Sequence, residues 1–338
     1  MKLRRSVIAL GVVLLLMGGL AASLTRMTSM PGVSFSDAPP LLDAEGKALR
    51  MRLTLDVEEL AVRIGERNVP AFPQRLDLSA TYLARRLSTL GYAVTRQPYF
   101  VRDLPVANLV AERRGWSRAR EIVVVGAHYD SAPGTPGADD NATGVAVALE
   151  LARVFSTRAP ARTVRFVFFT NEEPPYFETD AMGSEVYARA LRAKGEDITA
   201  MLALETMGYF SDAARSQHYP WPFSRFYPST GSFIAFVGDQ DSRELVRECV
   251  RVFRGAATVP SEGASIPRFV EGASWSDHGS FWRAGYRAVM VTDTAPFRNP
   301  HYHQSTDLPH TLDLDRLARV TQGLVAVVEE LANREASP

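Results

Sequence analysis

Residues 122–131 read Ile-Val-Val-Val-Gly-Ala-His-Tyr-Asp-Ser. Four consecutive β-branched residues suit a strand buried on both faces, and such a strand needs cover on both sides of its sheet. The apolar run stops at a histidine and an aspartate, so the strand delivers polar side chains at its carboxyl end. The pattern recurs downstream. Val164–Phe169 stops at Thr170-Asn171-Glu172-Glu173, and Met201–Leu204 stops at Glu205. Asn108–Glu112, Phe233–Val237 and Ala288–Thr292 are further short apolar runs. Helical spacing of apolar residues falls between them, at 142–156, 183–193, 240–254 and 313–333. Strands alternating with helices predict an α/β fold, a mainly parallel sheet covered on both faces.

Upstream, Leu49, Leu53, Leu55, Val57, Leu60 and Val62 predict a helix over 49–64. A second helix is expected over 77–90, carrying Leu78, Tyr82, Leu83 and Leu87 and stopping at Gly91. Residues 26–45 mix Ser, Pro, Met and Gly without a period and read as a linker to a domain spanning 46–338. Residues 1–25 read as a separate segment. Lys2, Arg4 and Arg5 precede an uncharged run from Ser6 to Thr25, long enough as a helix to cross a hydrocarbon core. The basic residues on its amino-terminal side predict a membrane anchor that leaves the main body outside the cytoplasm; a cleaved signal peptide is the alternative.

Composition narrows the function classes. The 338 residues carry 38 Lys and Arg against 38 Asp and Glu, and this balance argues against a nucleic-acid partner. The single cysteine, Cys249, rules out an internal disulfide, a CxxC redox site and a Cys-type zinc finger, so a metal site must draw on His, Asp and Glu. No GxGxxG, GKT or GxSxG motif occurs. Ser211–Thr230 is rich in Tyr, Phe, Pro and Ser and reads as a long ordered loop near a site.

In parallel sheets, ligands bind beyond the carboxyl ends of strands. Five such ends or loops supply candidate metal ligands: His128-Tyr-Asp130, Gly137-Ala-Asp-Asp140-Asn-Ala-Thr-Gly144, Asn171-Glu-Glu173, Leu204-Glu205 and Tyr302-His303. In order and spacing this series resembles the M28 zinc aminopeptidases, over about residues 47–335. The resemblance implies a three-layer α/β/α sandwich with a mixed, mostly parallel sheet of about eight strands. It also implies two zinc ions about 3.5–4 Å apart. His128 and Glu205 would bind one, Glu173 and His303 the other, and Asp140 both. A cis peptide after Asp140 is implied as well. The family often carries Asp at the position of Glu205, so the reach there is longer by one methylene.

Zinc accepts imidazole nitrogen and carboxylate oxygen and lowers the pKa of a bound water. Two zinc ions against Asp140, Glu173 and Glu205 leave one positive charge, enough to hold a hydroxide. Glu172, beside a ligand, is the expected general base; it would take the water's proton and return it to the leaving amine. Asp130 shares a face with His128 on an extended chain and is expected to orient the imidazole. Ser276, Asp277 and His278 resemble a Ser-Asp-His near the family's pocket, with plain helix capping as the alternative. His301 reads as a support for His303 or a loop residue, and His218 and His310 as structural. Tyr176, Phe177 and Met182 are candidate walls of a side-chain pocket. The expected activity is removal of N-terminal residues from peptides with a free amino terminus. The alternatives are a mononuclear glutaminyl cyclase and a non-catalytic ectodomain of the same fold.

Overall fold

The structure is a computed structural model and describes residues 15, 17–19 and 21–335. Eight strands form one sheet: β1 (Val94–Val101), β2 (Leu104–Arg113), β3 (Arg118–His128), β4 (Arg162–Phe169), β5 (Asp197–Glu205), β6 (Ile234–Gly238), β7 (Ser261–Ser265) and β8 (Ala288–Thr292). Their spatial order is β1-β2-β4-β3-β5-β8-β6-β7. The middle strands β4, β3, β5 and β8 are mutually parallel. β1–β2, β2–β4 and β6–β8 pair antiparallel. The sheet is therefore mixed, with a parallel centre.

Helices cover both faces. α1 (Ala44–Glu58), α2 (Pro73–Thr89), α3 (Gly144–Ser156), α5 (Arg243–Ala256) and α7 (Leu314–Asn333) pack with Val123, Val125, Phe166, Phe168, Leu202 and Val291 in the larger core. α4 (Gly183–Lys194) and α6 (Asp277–Arg283) pack with Val124, Val167, Phe169 and Met201 on the other face. Alternate residues of β3 thus enter opposite cores, as its unbroken β-branched run requires. α1 begins where Asp43 accepts a hydrogen bond from the Gly46 N–H at 2.7 Å and continues through wider turns over Glu59–Ile64. Leu49, Leu53, Val57 and Leu60 face the core, while Leu55 and Val62 face solvent. α3 starts hard against β5. A Cβ on Gly144 would stand 2.4 Å from the Leu204 carbonyl oxygen, so only glycine lets the helix end come this close.

Two expectations change at the amino terminus. The membrane anchor is not borne out: among the described residues no helix is long and apolar enough to cross a membrane. Residues 1–14, 16 and 20 of the expected anchor lie outside the described residues. The stretch read as a linker runs against the edge strand β7. Ser34 Oγ accepts from the Ser261 N–H at 2.8 Å and donates to its carbonyl at 3.0 Å. Arg254 donates to the carbonyls of Pro31 and Gly32. These contacts cover the start of an otherwise open sheet edge at Ser261.

Candidate metal centre

The central strands end together. His128 is the last residue of β3, Glu205 the last of β5, and Glu172 and Glu173 follow β4 by a short turn. Asp140 lies in the loop before α3, and His303 lies after β8. Asp140 stands between the two histidines. Its Oδ1 is 3.2 Å from His128 Nε2, and its Oδ2 is 3.1 Å from His303 Nε2. His128 Nε2 is also 3.2 Å from Glu205 Oε2, and His303 Nε2 is 3.2 Å from Glu173 Oε2. Two triads result, His128–Asp140–Glu205 and Asp140–Glu173–His303, sharing one carboxylate through different oxygens.

These side chains fit zinc. Bonds of about 2.0–2.2 Å in a tetrahedron place ligand atoms roughly 3.3–3.6 Å apart, close to the spacing within each triad. His128 Nε2, Asp140 Oδ1, Glu173 Oε1 and His303 Nε2 are buried without a hydrogen-bond partner, a costly state for polar atoms unless a cation takes their lone pairs. The charge pattern agrees. Burial, with Asp140 nearby, pushes the Glu173 carboxyl up to about 8 against the pull of His303. Burial alone would lower the His128 imidazole, but Glu205, Glu172, Asp130 and Asp140 hold it well above its ordinary value. Metal-free, the cluster gathers protons to offset its negative charge; divalent cations can replace them.

Glu172 is nearly buried beside the triads, with Oε2 3.9 Å from His128 Nε2, a longer reach than either triad shows. Burial raises its carboxyl well above the usual range, and Glu205, Glu173 and Asp277 add to this against His128. Asp130 does more than the sequence predicts. Its Oδ1 is 3.5 Å from His128 Nδ1, and its two oxygens accept the backbone N–H groups of Glu172 and Glu173 at 3.2 and 3.1 Å. One carboxylate thus bears on an imidazole and on the turn that presents both glutamates.

The remaining candidates divide. Ser276 Oγ donates to Glu205 Oε2 at 2.6 Å and so supports that carboxylate. Asp277 is buried with neither oxygen partnered, and burial pushes its carboxyl up to about 7. His278 points away: its Nε2 lies 2.8 Å from the Ala273 carbonyl oxygen, and its ring meets Trp282 edge-on. His301 bonds Thr306 at 2.9 Å and joins neither triad. Phe177 lines a cavity of about 390 Å³ that opens from the centre, whereas Tyr176 and Met182 do not. Met182 packs instead against Ser280.

Asp307 and Arg67 had no sequence signature, and Asn141 stood in the Gly137–Gly144 motif without an assigned role. Asp307 accepts the backbone N–H groups of Asp139 and Asp140 at 2.8 and 3.2 Å, tying the Asp140 loop to the His303 loop. Asn141, after the cis Asp140–Asn141 peptide, donates to the Leu204 carbonyl and accepts from the Gly144 and Thr206 N–H groups, tying the same loop to β5. Arg67 is fully buried and donates to the carbonyls of Tyr129, Pro136 and Gly137 at 2.7, 2.6 and 2.9 Å, closing the loop between His128 and Asp140. Asp139 faces away from the centre, bound by the Gly208 N–H and Asn299.

With that geometry in place, similarity to known proteins decides the family. The profile of peptidase family M28 matches residues 108–328. The chain belongs to peptidase family M28. It is on this ground a hydrolase of the zinc metallopeptidase class. It is 36% identical over 262 residues to the uncharacterized protein YfbL of Escherichia coli (strain K12), covering 75% of this chain and 80% of that protein. Other curated relatives are longer, and this chain spans 50% to 61% of their length. In fold it is similar to BSAP, a zinc aminopeptidase from Bacillus subtilis (TM-score 0.66, 16% identity, 85% of this chain and 95% of that one). It is also similar to a glutaminyl cyclase from Fimbriiglobus ruber (TM-score 0.60, 20% identity, 89% and 99%). The M28 sandwich expected from the sequence is thus the fold observed.

Proposed function

We propose that this M28 chain is an aminopeptidase that holds two zinc ions and hydrolyses the first peptide bond of substrates with a free amino terminus. The observation that carries this reading is the pair of His-and-carboxylate triads joined through the two oxygens of Asp140. In this reading His128, Asp140 and Glu205 hold one zinc, and Asp140, Glu173 and His303 the other. Bound zinc supplies Lewis acidity, polarising the scissile carbonyl and acidifying a water. Glu172 takes the proton of that water and returns it to the leaving amine. Its raised pKa suits both halves of the cycle, since a carboxylate that holds a proton more firmly than a free one takes it up more readily and can still return it. Asp130 keeps the His128 imidazole and the Glu172–Glu173 turn in register.

A glutaminyl cyclase shares the fold, but a cyclase with one zinc would leave one of the two triads without a task. The test is a panel of aminoacyl anilides and their N-acetylated counterparts, with and without a zinc chelator. Cleavage of the free-amine compounds alone, lost on chelation and restored by zinc, is expected. Equal cleavage of blocked compounds would refute the exopeptidase reading. Cyclisation of N-terminal glutamine without hydrolysis would favour the cyclase.

A further inference from the structure

The cavity that opens from the metal centre runs along a single row of the sheet. Glu205 pairs with Thr292, Thr292 with Ala235, and Ala235 with Glu262. Paired residues on neighbouring strands share a face, and all four line the cavity. The row crosses three strand spacings, roughly 14 Å from the Cα of Glu205 to that of Glu262. The next row, Met290, Val237 and Ala264, adds an apolar floor beside it. Among the described residues, no lysine or arginine lines the cavity.

The far end is a different environment from the near end. Tyr219 and Tyr227 stack with ring centres 5.7 Å apart, and Phe223 stacks on Tyr227 at 6.5 Å. Tyr227 Oη donates to the carbonyl of Gly263, next to Glu262, at 2.7 Å. Among the described residues, Glu262 has one basic neighbour within 4 Å, Arg254 at 3.7 Å, beyond hydrogen-bonding distance. The guanidinium of Arg254 is engaged elsewhere, donating to the carbonyls of Pro31, Gly32 and Ser261 and to Ser261 Oγ. Burial holds the Glu262 carboxyl above its ordinary range in spite of Arg254. An under-served carboxylate beside aromatic faces is a receptor for a cation.

We propose that Glu262, with Tyr219, Phe223 and Tyr227, forms a cation site that selects an N-terminal lysine or arginine. The proposal rests on the aminopeptidase reading, because the α-amine must lie among the acids at the Glu205 end. A long unbranched side chain then follows the row, its methylenes over Ala235, Val237 and Met290 and its cation at Glu262. Leucine or phenylalanine would stop short and give the half-buried Glu262 carboxylate no new partner. The aromatic loop over 211–230 thereby acquires a task, as it supplies three of the four groups.

The test uses the full, zinc-loaded chain and the 4-nitroanilides of lysine, arginine, leucine and norleucine, the last matching lysine without its ammonium. Calorimetric binding of free L-lysine against L-norleucine gives a readout independent of turnover. Lysine and arginine are expected to exceed norleucine by about tenfold or more in kcat/KM, and lysine to bind the tighter. Glu262→Gln should abolish that preference while norleucine turnover stays within about threefold of wild type. Norleucine equal to or above lysine in the wild type, or a preference unchanged in Glu262→Gln, would overturn the proposal. Should Glu262→Gln lose norleucine turnover as well, Tyr219→Leu decides: a reduced lysine preference supports the site and an unchanged one refutes it. If no free-amine anilide is cleaved, the aminopeptidase reading fails, and the binding measurement still judges the cation site.

Discussion

Replacing Glu172 with glutamine is expected to lower kcat by about 10²–10⁴-fold while leaving the zinc content unchanged. Glutamine keeps the size and the hydrogen-bonding shape but cannot carry a proton. The backbone of residue 172 remains anchored, since its N–H is held by Asp130 whatever the side chain. The side chain stands outside both triads, 3.9 Å from His128 Nε2, so its loss removes no proposed metal ligand. Turnover within tenfold of wild type would assign the proton transfers elsewhere. Loss of zinc together with activity would make Glu172 a ligand, and the His128–Glu172–Glu173 grouping is the geometry that outcome would favour.

The second large effect is expected far from any reacting atom. Arg67→Met should destabilise the fold by about 3–5 kcal/mol, the usual cost of breaking a buried charged network. The Arg67 side chain is a cation at neutral pH. Burial lowers its pKa to about 10, and Asp130, Asp307, Asp140 and Glu173 work against that fall. Methionine fills a similar volume but leaves the carbonyls of Tyr129 and Pro136 without donors and leaves that of Gly137 only the Ala142 N–H. It also removes a positive charge buried behind the acidic cluster. Denaturant unfolding and zinc titration check this together: the midpoint should fall, and zinc should bind more weakly, because the loop carrying Asp140 is no longer held. An unchanged midpoint would show the loop to be self-supporting.

Arg67 also marks the limit of what the sequence discloses. The arginine in Gly65-Glu-Arg-Asn-Val-Pro70 follows no period, and its three shortest hydrogen bonds go to acceptors some 60 to 70 positions on. Asp307 is hidden for the same reason, since it serves backbone groups 168 and 167 positions away. By contrast, β2, β3, β4, β5, β6 and β8 were legible because burial on both faces forces continuous apolar runs. β1 and β7 were not. Both are edge strands, and Val94-Thr-Arg-Gln-Pro-Tyr-Phe-Val101 and Ser261-Glu-Gly-Ala-Ser265 carry the polar, proline-bearing or small-residue character that edges tolerate. The five proposed ligands stood out because each ends a strand or opens a loop, and the fold brings those ends together. Neighbours in the same motifs did not follow them. His278 and His301 lie beside site residues in sequence, yet their rings turn to Ala273 and Thr306.

Elemental analysis of the purified chain after dialysis against metal-free buffer tests the central claim most directly. Two zinc equivalents per chain are predicted, with one lost in His303→Ala, which spoils a single triad. One equivalent or none in the wild type would contradict the paired centre built on Asp140.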